Sequence, residues 1–392
     1  MNLYIFSLNS AYKSMSGGDK YASELYKRFK KIDKCIITST ALRKQQYNEA
    51  GYDFEVLEIT QQPPNVHQVI YYLLNAFRAL FTTWSYIKKE RKLNPDLKIT
   101  YFSGCEYFPD IIPGYILKLF GLIDVWVISS HLIMPSAFQR YEDIYENKRH
   151  SFSILMAFNW LNQRFATFLY KISSSPKFYF GVNKEVENYL ESRNIKPFPV
   201  RCGAEEVGVK AFLIEKKEYD AVFLGRFHAQ KGIQFLIPIV QRVLSDIPDF
   251  KLLVIGGGDE KKEKEFKDQI EKAGLSKHIF PVGQKTGDEK MKLLAKSKIF
   301  LFPSTYESFG IVVLEAANLG LPTVAFKLPF YEDIFGDAIL TADLGDVEAF
   351  GKTTVKLLQD VELQRTLAQK SKNLLKKYTW DKTFESVASV IQ

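Results

Sequence analysis

The segment KIFLFPSTYESFGIVVLEAANLGLPTVAF, residues 298–326, decides how the rest of the chain is read. Residues 299–303 form a short apolar run of strand length, and the polar break at 304–308 predicts a loop behind it. From Phe309 onward Ile311, Val312, Leu314, Ala317 and Leu319 recur at mostly helical spacing. Gly320 sits where a helix C-cap is expected, and Pro322 blocks continuation before a strand over 323–326. The unit is strand, loop, helix, strand. In a parallel unit of this kind ligands gather outside the carboxyl end of the strand, where the next helix offers unpaired N–H groups and its positive dipole end. Glu307 falls in that loop and Glu315 about two turns into the helix. A purely structural explanation also stands, because a carboxylate there favours the dipole and Ser308 can cap.

Outward from this segment, 392 residues exceed the size at which one core usually stops growing, so two domains are expected. A composition of 46% hydrophobic and 25% charged residues is that of a soluble globular chain. Cys35, Cys105 and Cys202 lie far apart and show no metal-ligand or C-x-x-C spacing, which predicts a reducing, cytoplasmic setting. MNLYIFSLNS reads as a first strand and not as a secretory leader, and the apolar windows 69–87 and 152–172 are too interrupted to span a membrane. Charge is unevenly spread: residues 1–205 hold 26 Lys+Arg against 19 Asp+Glu, and the remainder 27 against 26. That asymmetry points to an anionic partner for the first part.

In chain order, residues 3–8 predict a strand, 9–19 a loop holding Gly17 and Gly18, and Tyr21, Leu25 and Phe29 a helix. A glycine pair there lets backbone approach an anion, although an ordinary turn explains it equally well. Further strands are expected at 36–39, 54–59 and 99–102, with a long helix over 66–92 ending in Lys88, Lys89, Arg91 and Lys92. DVWVISS at 124–130 is apolar enough for a buried parallel strand, and His131 follows at its end, where sites form in open α/β sheets. Residues 136–172 mix aromatic with basic side chains and predict a pair of amphipathic helices, or an interfacial surface. A strand over 177–182, a helix over 184–194 and a strand over 198–202 follow.

The second part opens with a strand over 219–224 and GRFHAQKG, which places Arg226 and Lys231 in one loop bracketed by Gly225 and Gly232. A planar guanidinium beside a compact ammonium suits a diphosphate. The G-x4-G-K-[ST] spacing of a P-loop is absent. KLLVIGGG at 251–258, with Gly256, is another strand running into glycines, and 279–283 predicts the next strand, ending at Gly283 before Gln284. Strands near Val324 and Ile339 and a largely helical stretch over 347–378 complete the alternation.

Glu307 and Glu315, flanking SFG, resemble the E-x7-E motif of the family-4 retaining glycosyltransferases, and GRFHAQKG resembles that family's G-R-x(n)-K-G element. The resemblance implies an α/β protein of GT-B type, with two Rossmann-like lobes facing each other across a cleft and a C-terminal helix returning to the N-terminal lobe. Residues 1–205 with 378–392 would form the acceptor-side domain and 206–377 the nucleotide-sugar-binding domain. By resemblance Arg226 and Lys231 hold the donor diphosphate with Gly17 and Gly18, Glu307 and His131 lie by the donor sugar, and Glu315 binds the ribose hydroxyls. Gly225, Gly256 and Gly283 approach the nucleotide, Gln284 borders the base, and Ser308, Phe309, Gly310 and Ile311 bring a helix N-terminus to the phosphates. The implied activity is retaining transfer from a nucleotide-sugar such as a UDP- or GDP-sugar to a glycan, glycolipid or lipid-linked acceptor. No cofactor, metal or nucleic acid is expected, since no D-x-D triplet occurs and the two cations supply the charge. The basic first part would touch the inner face of the cell membrane peripherally. A non-catalytic nucleotide-sugar-binding protein and a nucleotide-sugar epimerase of the same fold remain as rival readings.

Overall fold

The computed structural model describes residues 1–10, 16–49, 51–60, 68–143, 148–205 and 217–392. It divides into two compact units: Met1–Arg140, Arg149–Cys202 and Trp380–Gln392 form unit 1, and Tyr141–Lys148 with Gly203–Thr379 form unit 2.

Unit 1 runs β1 (Asn2–Ser7), α1 (Gly17–Phe29), β2 (Lys34–Ser39), α2 (Ala41–Glu49), β3 (Val56–Glu58), α3 (Gln68–Leu93), β4 (Lys98–Ser103), α4 (Phe108–Leu119), β5 (Val125–Ser130), α5 (Ile154–Ile172), β6 (Lys177–Gly181), α6 (Lys184–Glu191) and β7 (Phe198–Pro199). The strands are short, apolar and buried on both faces, as crossover helices require of a parallel sheet. Their order is β3-β2-β1-β4-β5-β6-β7, with Ile5 facing Ile36 on one side and Tyr101 on the other. Leu3, Ile5, Ile99, Trp126 and Ile128 centre the core. Trp126 Nε1 donates to Ser103 Oγ at 3.0 Å, which satisfies the donor of this buried indole.

Unit 2 runs β8 (Tyr219–Leu224), α7 (Ile233–Leu244), β9 (Leu252–Ile255), α8 (Glu260–Lys272), β10 (Ile279–Pro281), α9 (Gly287–Ala295), β11 (Ser297–Phe302), α10 (Ile311–Asn318), β12 (Thr323–Phe326), α11 (Tyr331–Phe335), β13 (Leu340–Ala342), α12 (Val347–Gln359) and α13 (Val361–Lys377). Its strands are parallel in the order β10-β9-β8-β11-β12-β13, with Val222 opposite Leu253 and Phe300. Helix starts follow their caps: Asp259, Asp346 and Asp360 each accept a main-chain N–H from the first turn of α8, α12 and α13. The last helix, α14 (Trp380–Ile391), packs in unit 1 on α1, where Arg28 Nε meets Asp381 at 2.7 Å and Phe29 lies edge-on to Phe384 at 4.8 Å.

In both sheets the strand order reverses at the first strand, between β1 and β4 and between β8 and β11, and in parallel sheets the carboxyl ends of the strands at such a point form the ligand-binding edge. One expectation needs correction. Among the described residues of 136–172 there is one long helix, α5, preceded by a 3-10 turn at Tyr141–Asp143, where the sequence predicts a pair of helices. Ser153 caps the start of α5 by accepting from Met156 N, which confines the helix to the apolar run behind it. Parts of the predicted first loop (11–15), of the long helix (66–67) and of the aromatic and basic stretch (144–147) fall outside the described residues.

Candidate active site

Two loops meet at the switch point of unit 2. The first leaves β8 at Gly225, whose N–H still bonds Ile255 O at 3.0 Å, and passes exposed Arg226 into a 3-10 turn, Ala229–Lys231. The second leaves β11 and carries Glu307 toward α10. Thr305 N donates to Gln230 O at 2.9 Å and Gln230 Nε2 donates to Tyr306 O at 2.9 Å, so Gln230 binds one loop to the other. Gly232 ends the turn with φ 76°, and a Cβ there would stand 1.9 Å from Pro303 O, so only glycine lets the loops close to this distance.

That closure brings Lys231 Nζ to 2.5 Å from Glu307 Oε1. The Glu307 side chain is 6% exposed and that of Lys231 20%. Glu315 is also covered, at 9%, and its Oε2 accepts from Lys290 Nζ of α9 at 2.8 Å. Each carboxylate is therefore neutralised by an ammonium, as burial demands. Gly310, with φ 85°, is the N-cap of α10, and no side chain caps that helix. Its first turn thus opens on main-chain N–H groups, with Phe309 anchored against Tyr378 at 5.4 Å between ring centroids. Gly256 N donates to Gly283 O at 2.9 Å, which sets the ends of β9 and β10 side by side, and Gln284 beyond them is exposed.

Two details depart from expectation. Ser308 does not cap α10, because the helix starts at Ile311 with Gly310 as its cap. Glu315 consequently lies little more than one turn into the helix, not two. Glu307 and Glu315 are both buried, and each is paired with a lysine.

In unit 1 the carboxyl edge of β4 and β5 holds His131 and Gly18 together: a Cβ on Gly18 would lie 3.3 Å from His131 Nε2. Gly17 and Gly18 are not in a loop but open α1, where Ser16 and Asp19 form a capping box. An acidic side chain thus already occupies that helix N-terminus. His131 Nε2 lies 3.2 Å from Gly104 O and its ring meets Tyr21 edge-on at 5.4 Å. Burial holds its pKa down to about 4, so the imidazole is neutral at physiological pH. Close by, Glu106 accepts from Tyr179 Oη at 2.7 Å, Gln163 Nε2 at 2.8 Å and Ser130 Oγ at 3.0 Å. Burial outweighs these three donors and pushes the Glu106 carboxyl up to about 7.

Lys290, Gln230 and Glu106 have no counterpart in the sequence reading. Lys290 is one of five lysines between 285 and 298, and no spacing singles it out. Glu106 lies beside Cys105 in an unremarkable turn, and its partners come from β5, β6 and α5. Among the described residues no group of three or more His, Cys, Asp and Glu side chains could hold a metal ion, and no helix is long and apolar enough to cross a membrane.

Comparison with known proteins places these observations. The chain is 29% identical over 229 residues to an uncharacterised glycosyltransferase of Methanocaldococcus jannaschii, covering 57% of this chain and 62% of the relative. It is 24% identical over 290 residues to the sulfoquinovosyl transferase of Arabidopsis thaliana, covering 69% and 54%. It is 26% identical over 163 residues to a phosphatidyl-myo-inositol mannosyltransferase of Mycolicibacterium smegmatis, covering 41% of each. The chain thus spans about two fifths to three fifths of the length of these relatives. Among solved structures, Anabaena HepE in complex with UDP superposes with a TM-score of 0.74 at 14% identity, covering 100% of this chain and 99% of that one. Sucrose-phosphate synthase from Thermosynechococcus elongatus gives 0.69 at 14% identity, covering 99% and 98%. Two Rossmann-like parallel-sheet units of GT-B type are therefore the fold. Residues 205–374 match the family model of the glycosyl transferases group 1.

Proposed function

We propose that the protein is a retaining glycosyltransferase that moves a sugar from a nucleotide-sugar to an acceptor hydroxyl without a metal ion. The observation that carries this reading is the pairing of Lys231 with Glu307, in the loop before an uncapped helix N-terminus, and of Lys290 with Glu315 in that helix, at the switch point of unit 2. Negative charge grows on the leaving diphosphate as the sugar becomes oxocarbenium-like, and preorganised donors aimed at that charge are the strongest catalytic device for such a step. Arg226 supplies a planar fork, Lys231 a point charge, and the first turn of α10, from Phe309 to Ile311, its N–H groups. An ammonium has three donors, so the bond from Lys231 to Glu307 does not preclude a phosphate oxygen. Glu307 is assigned to the donor sugar, and Glu315, steadied by Lys290, to the ribose hydroxyls. His131, with Gly17 and Gly18, is assigned to the donor sugar and phosphate.

The acceptor is proposed to be lipid-linked, with peripheral attachment to the cytoplasmic face of the membrane. The phosphatidyl-myo-inositol acceptor in the name of one relative and the excess of basic residues in 1–205 support this. The test is incubation of pure protein with labelled UDP- and GDP-sugars and a lipid extract, with and without EDTA. Labelled lipid formed in both conditions is expected. Isomerised donor without transfer would indicate an epimerase, binding without turnover a regulatory protein, and activity restored only by Mg²⁺ or Mn²⁺ a metal-dependent enzyme.

A further inference from the structure

Unit 1 leaves apolar side chains uncovered along two helices. On α3, Ile70, Leu73, Leu74, Phe77 and Phe81 are 40–66% exposed and follow one another at helical spacing. On α5, Ile154, Leu161, Phe168 and Ile172 are 50–65% exposed. Both helices pack on α4, and at their starts the rings of Tyr72 on α3 and Phe158 on α5 lie 5.9 Å apart between centroids. Scattered exposed apolar residues need no explanation, but a stripe of them on each of two helices that pack on the same α4 does.

The charges on these helices identify what covers them. The outward face of α3 changes character after Phe81, where Lys88, Lys89 and Lys92 are all exposed. Glu90 is the one acidic residue in α3 and α5 together, and it is paired with Lys34 at 2.8 Å and largely buried. At the margin of each stripe stands a tryptophan under a cation: Lys88 Nζ lies 5.4 Å from the Trp84 ring and the Arg164 guanidinium 3.7 Å from the Trp160 ring. Apolar side chains bordered by amphipathic rings and basic groups match, in order, the acyl boundary, the interface and the anionic headgroups of a lipid surface. A second copy of the chain fits poorly, because antiparallel pairing of α3 with itself would lay three lysines over phenylalanines with no carboxylate to meet them.

We propose that the exposed faces of α3 and α5 form a lipid-docking surface that inserts Phe77 and Phe81 at the acyl boundary of an anionic membrane. This deepens the lipid-acceptor reading above and rests on it for its purpose. Each lysine near an anionic surface strengthens partition about fivefold, so three contribute on the order of a hundredfold.

The experiment is flotation of the full chain with phosphatidylcholine vesicles, with and without phosphatidylglycerol, across a salt series. The chain should float only with the anionic vesicles and release as salt screens the attraction. Phe77→Ser/Phe81→Ser should abolish flotation, and Lys88→Gln/Lys89→Gln/Lys92→Gln should lower partition on the order of a hundredfold. These side chains are exposed, so melting temperature and nucleotide-sugar binding should stay at wild-type values in both variants. Equal flotation of wild type and both variants overturns the proposal, as does wild type that stays soluble at low salt. Light scattering that shows a dimer abolished by Phe77→Ser/Phe81→Ser, without vesicle binding, overturns it in favour of self-association. Vesicle binding without sugar transfer would overturn only the activity, and transfer without vesicle binding only the docking surface.

Discussion

Lys231→Ala tests the ion pair that organises the unit 2 site. Its ammonium sits 2.5 Å from Glu307, whose side chain is 6% exposed, so the substitution strands a covered carboxylate. Removing one partner of a buried pair costs about 3–5 kcal/mol. Since a fifth of the Lys231 side chain remains in water, the lower end, about 3 kcal/mol, applies here. For a domain the size of unit 2 that corresponds to a fall in melting temperature of roughly 6–12 °C. Lys231→Ala/Glu307→Gln removes the stranded charge and should recover most of the loss, giving a coupling of about 2 kcal/mol in a double-mutant cycle. Transfer should not recover, because the proposed mechanism assigns both groups to the donor, and the stable double variant should still run on the order of 10²- to 10³-fold slow. Urea denaturation of the four proteins, with initial rates on the same samples, decides the matter. A coupling below about 0.5 kcal/mol would show that the pair contributes nothing to holding the loops, and near-normal rates in the double variant would remove both residues from the mechanism.

The remaining expectations concern pH, backbone and nucleotide affinity. Glu106 has its pKa raised from 4.5 to about 7, so the stability it contributes is full below about pH 4.5 and is lost as pH rises through 7. His131, lowered from 6.5 to about 4, acts in the opposite sense, with stability present above pH 6.5 and lost as pH falls through 4. Denaturant unfolding at pH 5 and 8 should show Glu106→Gln gaining about 2.5 kcal/mol relative to wild type over that rise, and a flat difference would refute the buried-acid assignment. Gly232→Ala, which drives a Cβ into Pro303 O, should destabilise unit 2 by at least about 2 kcal/mol and abolish the thermal shift produced by UDP. Lys290→Ala should weaken nucleotide binding about tenfold by releasing Glu315, with titration calorimetry as the measure and unchanged affinity as the contrary result.

What the sequence determined alone is local and periodic. The strands over 219–224 and 323–326 coincide with β8 and β12, because a buried parallel strand is a continuous apolar run that a polar or glycine-containing turn must end. The GRFHAQKG and ESFG loops were legible for the same reason, since glycines and charges between two apolar elements have few explanations besides a turn or a site. Pairing across the chain belongs to the tertiary structure. Lys231 and Glu307 are 76 residues apart and Lys290 and Glu315 are 25 apart, so only the strand order that sets β8 beside β11 could bring the first pair together and assign the second lysine a partner. Glu106 became a shared acceptor only when β5, β6 and α5 closed over it and excluded water. The same holds for α3. Its 26 residues announce a helix by spacing alone, but which of its apolar residues stay uncovered depends on α4 packing against the opposite side, because helical periodicity encodes a face and not what lies against it.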